Sequence, residues 1–348
     1  MSKKLKAVES WSPKFRGYLA PESWTLCVGA GISRGIAPNW IDLTRMVVNE
    51  SFDAKISESE FQNIVQGYGW SLDSWIQSAA NKYLNDGKNI EDFNNLIESH
   101  LYKKIREKAK GLGLEKHLTK VLNHPRSAPK QSIIDVCDFI EETFPNCSLL
   151  QVGKFLIEAA KANKSPVSVL TFNADTFLET YIDLFLRREH YKGPGPHGHP
   201  IYYFVSITHP ISTGDNKVPI IHCHGSISPQ FSDDKKPYDS RHRLIFLEDE
   251  YLSTNSSGVS WPSAVFNYYA QSTKLAFVGM SMSDSNIRRW MKSTKQEKQK
   301  DSVIHKGSIN QINPEHIWIN PKPKSKSEQE LLLVSQIHLG VRPAWIKD

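Results

Sequence analysis

The chain has 348 residues, of which 39% are hydrophobic and 23% charged, with a formal net charge of +6. This is the composition of a globular chain of one or two domains, and it excludes collagen-like, low-complexity and disulfide-scaffold classes. No apolar run reaches the ~18 residues of a membrane helix, and the charged start "MSKKLKAVES" lacks the apolar core of an export signal, so a cytoplasmic location without a membrane partner is expected.

In chain order, "WTLCVG" (24–29) reads as a buried strand that closes on "GAGISRG", and "IDLTRMVVNE" (41–50) as the helix that follows. Residues 51 to about 160 are rich in helix formers and are expected to form a helical insertion. "VSVLTF" (167–172) is a second strand, ending in "TFNAD", with a helix over 174–188. The interval 190–216, rich in Gly, Pro and His, is expected to be an irregular loop leading into a short strand. "PIIHCHG" (219–225) is another buried strand. The helix "SAVFNYYAQST" (263–273) precedes the strand "KLAFVGMS" (274–281), and "HIWIN" (316–320) follows. "KPKSKSEQE" (322–330) reads as an exposed loop before the last strand, "GVRPAWI" (340–346). Strands alternating with helices predict an α/β fold with a doubly wound parallel sheet, a single domain over 1–348 interrupted at about 51–160.

Four of the strands end in polar clusters, and ligands of open parallel sheets bind at that edge. Gly29, Gly31 and Gly35 form G-x-G-x-x-x-G, one residue longer than the dinucleotide fingerprint. Such a turn serves either a phosphate or close packing. In "TFNAD", Asn173 offers both donor and acceptor, whereas Asp175 suits a ribose hydroxyl or a helix cap equally. In "IHCHGSI", strand alternation is expected to point His222 and His224 to one face. His224 is a candidate general base and His222 a supporting residue. A metal would need further ligands, for which His197 and His199 are the candidates. In "FVGMSMSDSNIRRWM", Gly279 and Ser281 sit where the strand stops, and Asp284 suits a helix cap. The four cysteines (Cys27, Cys137, Cys147, Cys223) include no Cys-x-x-Cys pair, which argues for a reducing compartment and against a zinc ribbon. Charge is uneven. Lys103–Lys130 holds nine Lys/Arg against two Asp/Glu, and Arg288–Lys326 ten against three. These segments are solvated helix faces and a Lys-rich loop, or they contact DNA.

"GAGIS" with its following P-x-W, then "TFNAD", "HCHGSI" and "FVGMSMSDSNIRR" in this order, resemble the sirtuin fold, and more narrowly the bacterial sirtuin-like proteins of antiphage defence. The resemblance covers about 24–50 and 165–345. It implies a Rossmann-like fold without zinc ribbon and NAD+ as substrate. The implied catalytic residues are Asn173, His224 and Asp175, and the implied NAD-binding residues are Gly29, Ala30, Gly31, Ser33, Trp40, Gly279, Ser281 and Asp284. It further implies NAD+ glycohydrolase activity yielding nicotinamide and ADP-ribose, with NAD-dependent deacylation, ADP-ribosyl transfer, NAD or ADP-ribose sensing, or action on DNA as alternatives. Because unregulated NAD+ hydrolysis is toxic, activity is expected to be gated by homo-oligomerisation, by the helical insertion, or by a partner. A HerA-like ATPase is the first expected partner and a short Argonaute the second. The motifs run almost to residue 348, which leaves little room for a sensor after them.

Overall fold

The structure is a computed structural model and describes residues 8–9, 24–193, 203–207, 217–229, 247–250, 260–306 and 315–346. Among the described residues eight parallel strands form one sheet: β1 (Val8–Glu9), β2 (Trp24–Val28), β3 (Val169–Thr171), β4 (Phe204–Ile207), β5 (Val218–His222), β6 (Lys274–Val278), β7 (His316–Pro321) and β8 (Val341–Ile346). Their order is β1-β8-β7-β6-β2-β3-β5-β4. All five residues of β2 are buried, as a central parallel strand covered on both faces requires. Successive β2 residues face opposite layers. Leu26 and Val28 join one apolar core with Val169, Ile220 and Ala276. Cys27 joins the other with Leu170, Ile221 and Phe277.

The helices α1 (Trp40–Ser51), α2 (Glu58–Tyr68), α3 (Leu72–Asn85), α4 (Ile90–Gly111), α5 (Glu115–Asn123), α6 (Lys130–Thr143) and α7 (Ser148–Lys161) lie in sequence between β2 and β3. With α8 (Phe177–Lys192) they build the first core. On the opposite face, Phe266 of α9 (Trp261–Ser272) and Ile287 and Trp290 of α10 (Ser285–Lys306) pack on the sheet. The caps are written in the sequence. Ser57 with Glu60 and Asn89 with Asp92 form reciprocal capping boxes at α2 and α4, and left-handed Gly69 closes α2.

Two expectations fail locally. The stretch 322–330 is exposed but only its first part is loop, because Ser325 accepts from the Glu328 N–H and starts α11 (Lys326–Ile337). This is a Ser-x-x-Glu start signal hidden among lysines. The third predicted strand stops at His222 rather than running to Gly225, since the chain turns through Cys223 and His224 and Gly225 adopts φ +74°. Of the interval 190–216, β4 is the predicted short strand, and His197 and His199 lie outside the described residues.

Chain direction sets the site. From β2 the chain moves to β3 and β5 on one side and later returns to β6 on the other. β2 is thus flanked by strands wound in opposite directions, where a crevice opens at the carboxyl ends of the strands.

Candidate active site

The β2 end and the β6 end are joined backbone to backbone. The Gly29 N–H donates to the Val278 carbonyl at 3.1 Å and the Gly31 N–H to the Gly279 carbonyl at 2.9 Å. A Cβ on Gly31 would stand 2.7 Å from the Gly279 oxygen. A Cβ on Gly279, whose φ is +66°, would stand 2.5 Å from the Ile32 nitrogen. This contact between strand ends is what demands glycine at 29, 31 and 279, whereas Gly35 has φ +103° with nothing within 4 Å of its absent Cβ. Residues Ala30–Ser33 form a 3-10 turn, with Ala30 and Gly31 exposed and Ser33 buried. Trp318 steadies the other side by donating its indole N–H to the Met280 carbonyl at 2.7 Å.

Ser33 reaches across to the β3 end. The Asn173 amide donates to Ser33 Oγ at 3.3 Å, and Ser33 Oγ donates to Asp175 Oδ1 at 3.4 Å. Asp175 also accepts from the Phe177 N–H at 3.1 Å, so it serves the α8 start as well as the cluster. Asn173 is only 6% exposed, and its Oδ1 is buried without a partner among the described residues. A buried acceptor left open is costly. Burial pushes the Asp175 carboxyl up to about 6, and nearby Glu179 adds to this against the Phe177 and Ser33 hydrogen bonds.

The two histidines part company, contrary to the expectation that both share a face. His222 is fully buried and pairs through Nε2 with Glu179 Oε1 of α8 at 2.8 Å. Burial disfavours its cation, but the Glu179 carboxylate outweighs this and raises its pKa. His224, beyond the strand end, meets Phe172 edge-on at 5.2 Å, and Phe172 packs on the opposite core. The alternation that placed them together ends where the backbone turns. Burial lowers the His224 pKa, with Asp284 acting partly against it, which favours the neutral imidazole.

Asp284 caps α10, accepting from the N–H groups of Asn286 at 2.8 Å and Ile287 at 3.1 Å. Ser281 is exposed and hydrogen-bonds Ser283. Trp40 begins α1 and packs on the first core.

Several participants carried no motif. Tyr102 of α4 donates its hydroxyl to the Ile227 carbonyl at 2.7 Å and accepts from the Thr176 N–H at 3.0 Å. It thereby clamps the turns after β3 and β5. The Cys147 thiol reaches the Ile32 carbonyl at 3.3 Å. Asp73 of α3 is pushed up to about 7 by burial and by the carboxylates of Asp284 and Glu248. A lone tyrosine or aspartate inside a periodic helix gives no local signal of such a role. Among the described residues no grouping of His, Cys, Asp and Glu could hold a metal ion, and no helix is long and apolar enough to cross a membrane.

Residues 167–340, half of the chain, match the model of the SIR2-like domain. The chain belongs to the SIR2-like family. Members of that family are in general NAD-utilising enzymes, and the SIR2-like match takes in Asn173, Asp175, His224 and Gly279–Asp284. The glycine turn at 29–35 precedes it in sequence and joins it through Gly279. No curated protein matches the chain.

Proposed function

We propose that the chain is an NAD+ glycohydrolase that releases nicotinamide and ADP-ribose, and that it depletes NAD+ as an effector of antiphage defence. The observation that carries this reading is the Asn173 carboxamide. It is buried and held through its nitrogen by Ser33, which also bonds Asp175, and its acceptor oxygen has no partner among the described residues. NAD+ fits these residues: an open acceptor suits a ribose hydroxyl or an attacking water, and the exposed Ala30–Gly31 turn would lie along the pyrophosphate.

The bond to nicotinamide breaks with positive charge building at the ribosyl carbon, and nicotinamide departs neutral, so no acid is required. The protein's work is to stabilise that charge and orient water. Asp175, ionised above about pH 6, supplies a fixed negative charge in a buried setting. Asn173 holds the water. Neutral His224 accepts a proton from a ribose hydroxyl or from the water. In this reading activity is gated by assembly with a partner, a HerA-like ATPase before a short Argonaute, or by oligomerisation.

NAD+ loss and product identity, followed by mass spectrometry with and without the neighbouring gene products, test the proposal. Asn173→Ala should lower turnover by about 10²–10³-fold with the fold intact. Unchanged NAD+ consumption in this variant overturns the assignment.

A further inference from the structure

The helical layer carries an aromatic platform that the active site does not use. Tyr68 closes α2, Trp70 lies in the turn after it, and Trp75 sits in the first turns of α3. Their ring centroids are 5.6 Å (Tyr68–Trp70), 5.1 Å (Trp70–Trp75) and 6.0 Å (Tyr68–Trp75) apart. Tyr68 is 65% and Trp70 52% exposed, although an aromatic cluster of this kind, its rings tilted or edge-on, is commonly buried or covered by a partner. The surroundings are acidic. Asp73 lies two residues before Trp75 in the first turn of α3, in a chain of net charge +6. The segment carrying Glu248 and Asp249 docks beside the platform, with Ser74 Oγ donating to Glu248 Oε1 at 2.8 Å and the Asp249 N–H to Gln77 Oε1 at 3.3 Å.

An aromatic surface with the acidic residues Asp73, Glu248 and Asp249 beside it selects a cation, by contact of the cation with the ring face and by charge. It repels phosphate, which argues against nucleic acid as the occupant. The chain displays the matching surface. Lys103, Lys104, Lys108 and Lys110 on α4 and Lys116 and Lys120 on α5 are all exposed, and Lys104 with Lys108, like Lys116 with Lys120, stands one helical turn apart on one face. Lysines so presented on a rigid helix lose little freedom on docking. Platform and lysine face are both solvent-exposed in one copy, so each is available to another.

We infer that the Tyr68–Trp70–Trp75 platform of one copy receives the α4–α5 lysine face of a second copy, giving a head-to-tail assembly. Such an interface is heterologous and propagates into a ring or an open chain rather than stopping at a two-fold dimer. No residue of the Ser33–Asn173–Asp175 set takes part, so assembly is tested separately from NAD+ cleavage, although Asp73 is shared with the site edge through the Asp284 carboxylate.

The test is sedimentation of the full chain at low and high salt, with a platform variant (Trp70→Ala, with Tyr68→Ser as the milder change) and a lysine-face variant (Lys104→Glu with Lys108→Glu). Circular dichroism checks that each folds. The wild type should self-associate beyond a dimer and dissociate as salt rises. Each variant alone should associate at least about tenfold more weakly. An equimolar mixture of the two variants retains one good platform and one good lysine face, and should form a dimer and nothing larger. A wild type that is monomeric at low salt, variants that assemble like the wild type, or folded variants whose mixture stays monomeric would each overturn the inference. So would a platform variant that assembles normally while the lysine variant loses binding only to an added DNA duplex.

Discussion

Asp175 does two jobs with one carboxylate. It holds the start of α8 through the Phe177 N–H, and it accepts from Ser33 Oγ, which in turn accepts from the Asn173 amide. Burial raises its pKa to about 6, while burial lowers that of His224. The working forms, carboxylate and neutral imidazole, are therefore both favoured as pH rises. The rate of NAD+ cleavage is expected to fall as pH drops through about 6, and Asp175→Asn should both slow the reaction and remove that acid limb. Initial rates of NAD+ loss across pH for the two proteins check this, and a limb unchanged in the variant assigns it to another group. The glycines separate in the same way into two kinds. Gly279→Ala forces a side chain onto φ +66° and into Ile32, with an expected cost of about 1–3 kcal/mol. Gly35→Ala meets no neighbour and should cost about 1–2 kcal/mol from backbone strain alone. Thermal unfolding of both variants orders them.

At the level of elements, the turns that carry Asn173 and His224 are held by helices remote in sequence. Tyr102 on α4 bonds both the Thr176 N–H and the Ile227 carbonyl. Tyr102→Phe leaves two buried backbone groups without their partner, at an expected cost of about 1–3 kcal/mol. Because these bonds span the site, the change should weaken NAD+ binding along with stability, which paired unfolding and calorimetric titration would measure. This clamp was not legible in the sequence. Tyr102 falls on the buried face of an amphipathic helix, where an aromatic residue reads as packing, and its partners are backbone atoms that carry no residue signature. The parallel strands were legible, since burial on both faces leaves continuous β-branched and aromatic runs such as "WTLCV" and "KLAFV". The polar endings at Asn173, Asp175 and His224 were legible for a related reason, because a strand that stops at the ligand edge changes abruptly from apolar to polar. The faces of His222 and His224 were not, since alternation holds only while the strand lasts.

For the molecule as a whole, the glycine turn changes meaning once the strand order is known. Spacing alone left phosphate binding and packing open for Gly29 and Gly31, and the position of β2 beside β6 shows the packing demand that both meet at Gly279. The role of the helical layer was likewise hidden. Its helices were expected from composition, but only the packed structure shows it supplying Tyr102, Cys147 and Asp73 to the carboxyl edge of the sheet.

The same layer has a consequence for biosynthesis. Thr25 of β2 bonds Ser168, just ahead of β3, 143 positions away, and Thr273, just ahead of β6, 248 positions away. At translation rates of roughly 5–20 residues per second, β2 waits on the order of 10 s for its first strand partner to leave the ribosome. Contacts so distant in sequence form slowly. The helices α1–α7 emerge during that wait, so the newborn chain can shelter Leu26 and Val28 against them before any sheet exists.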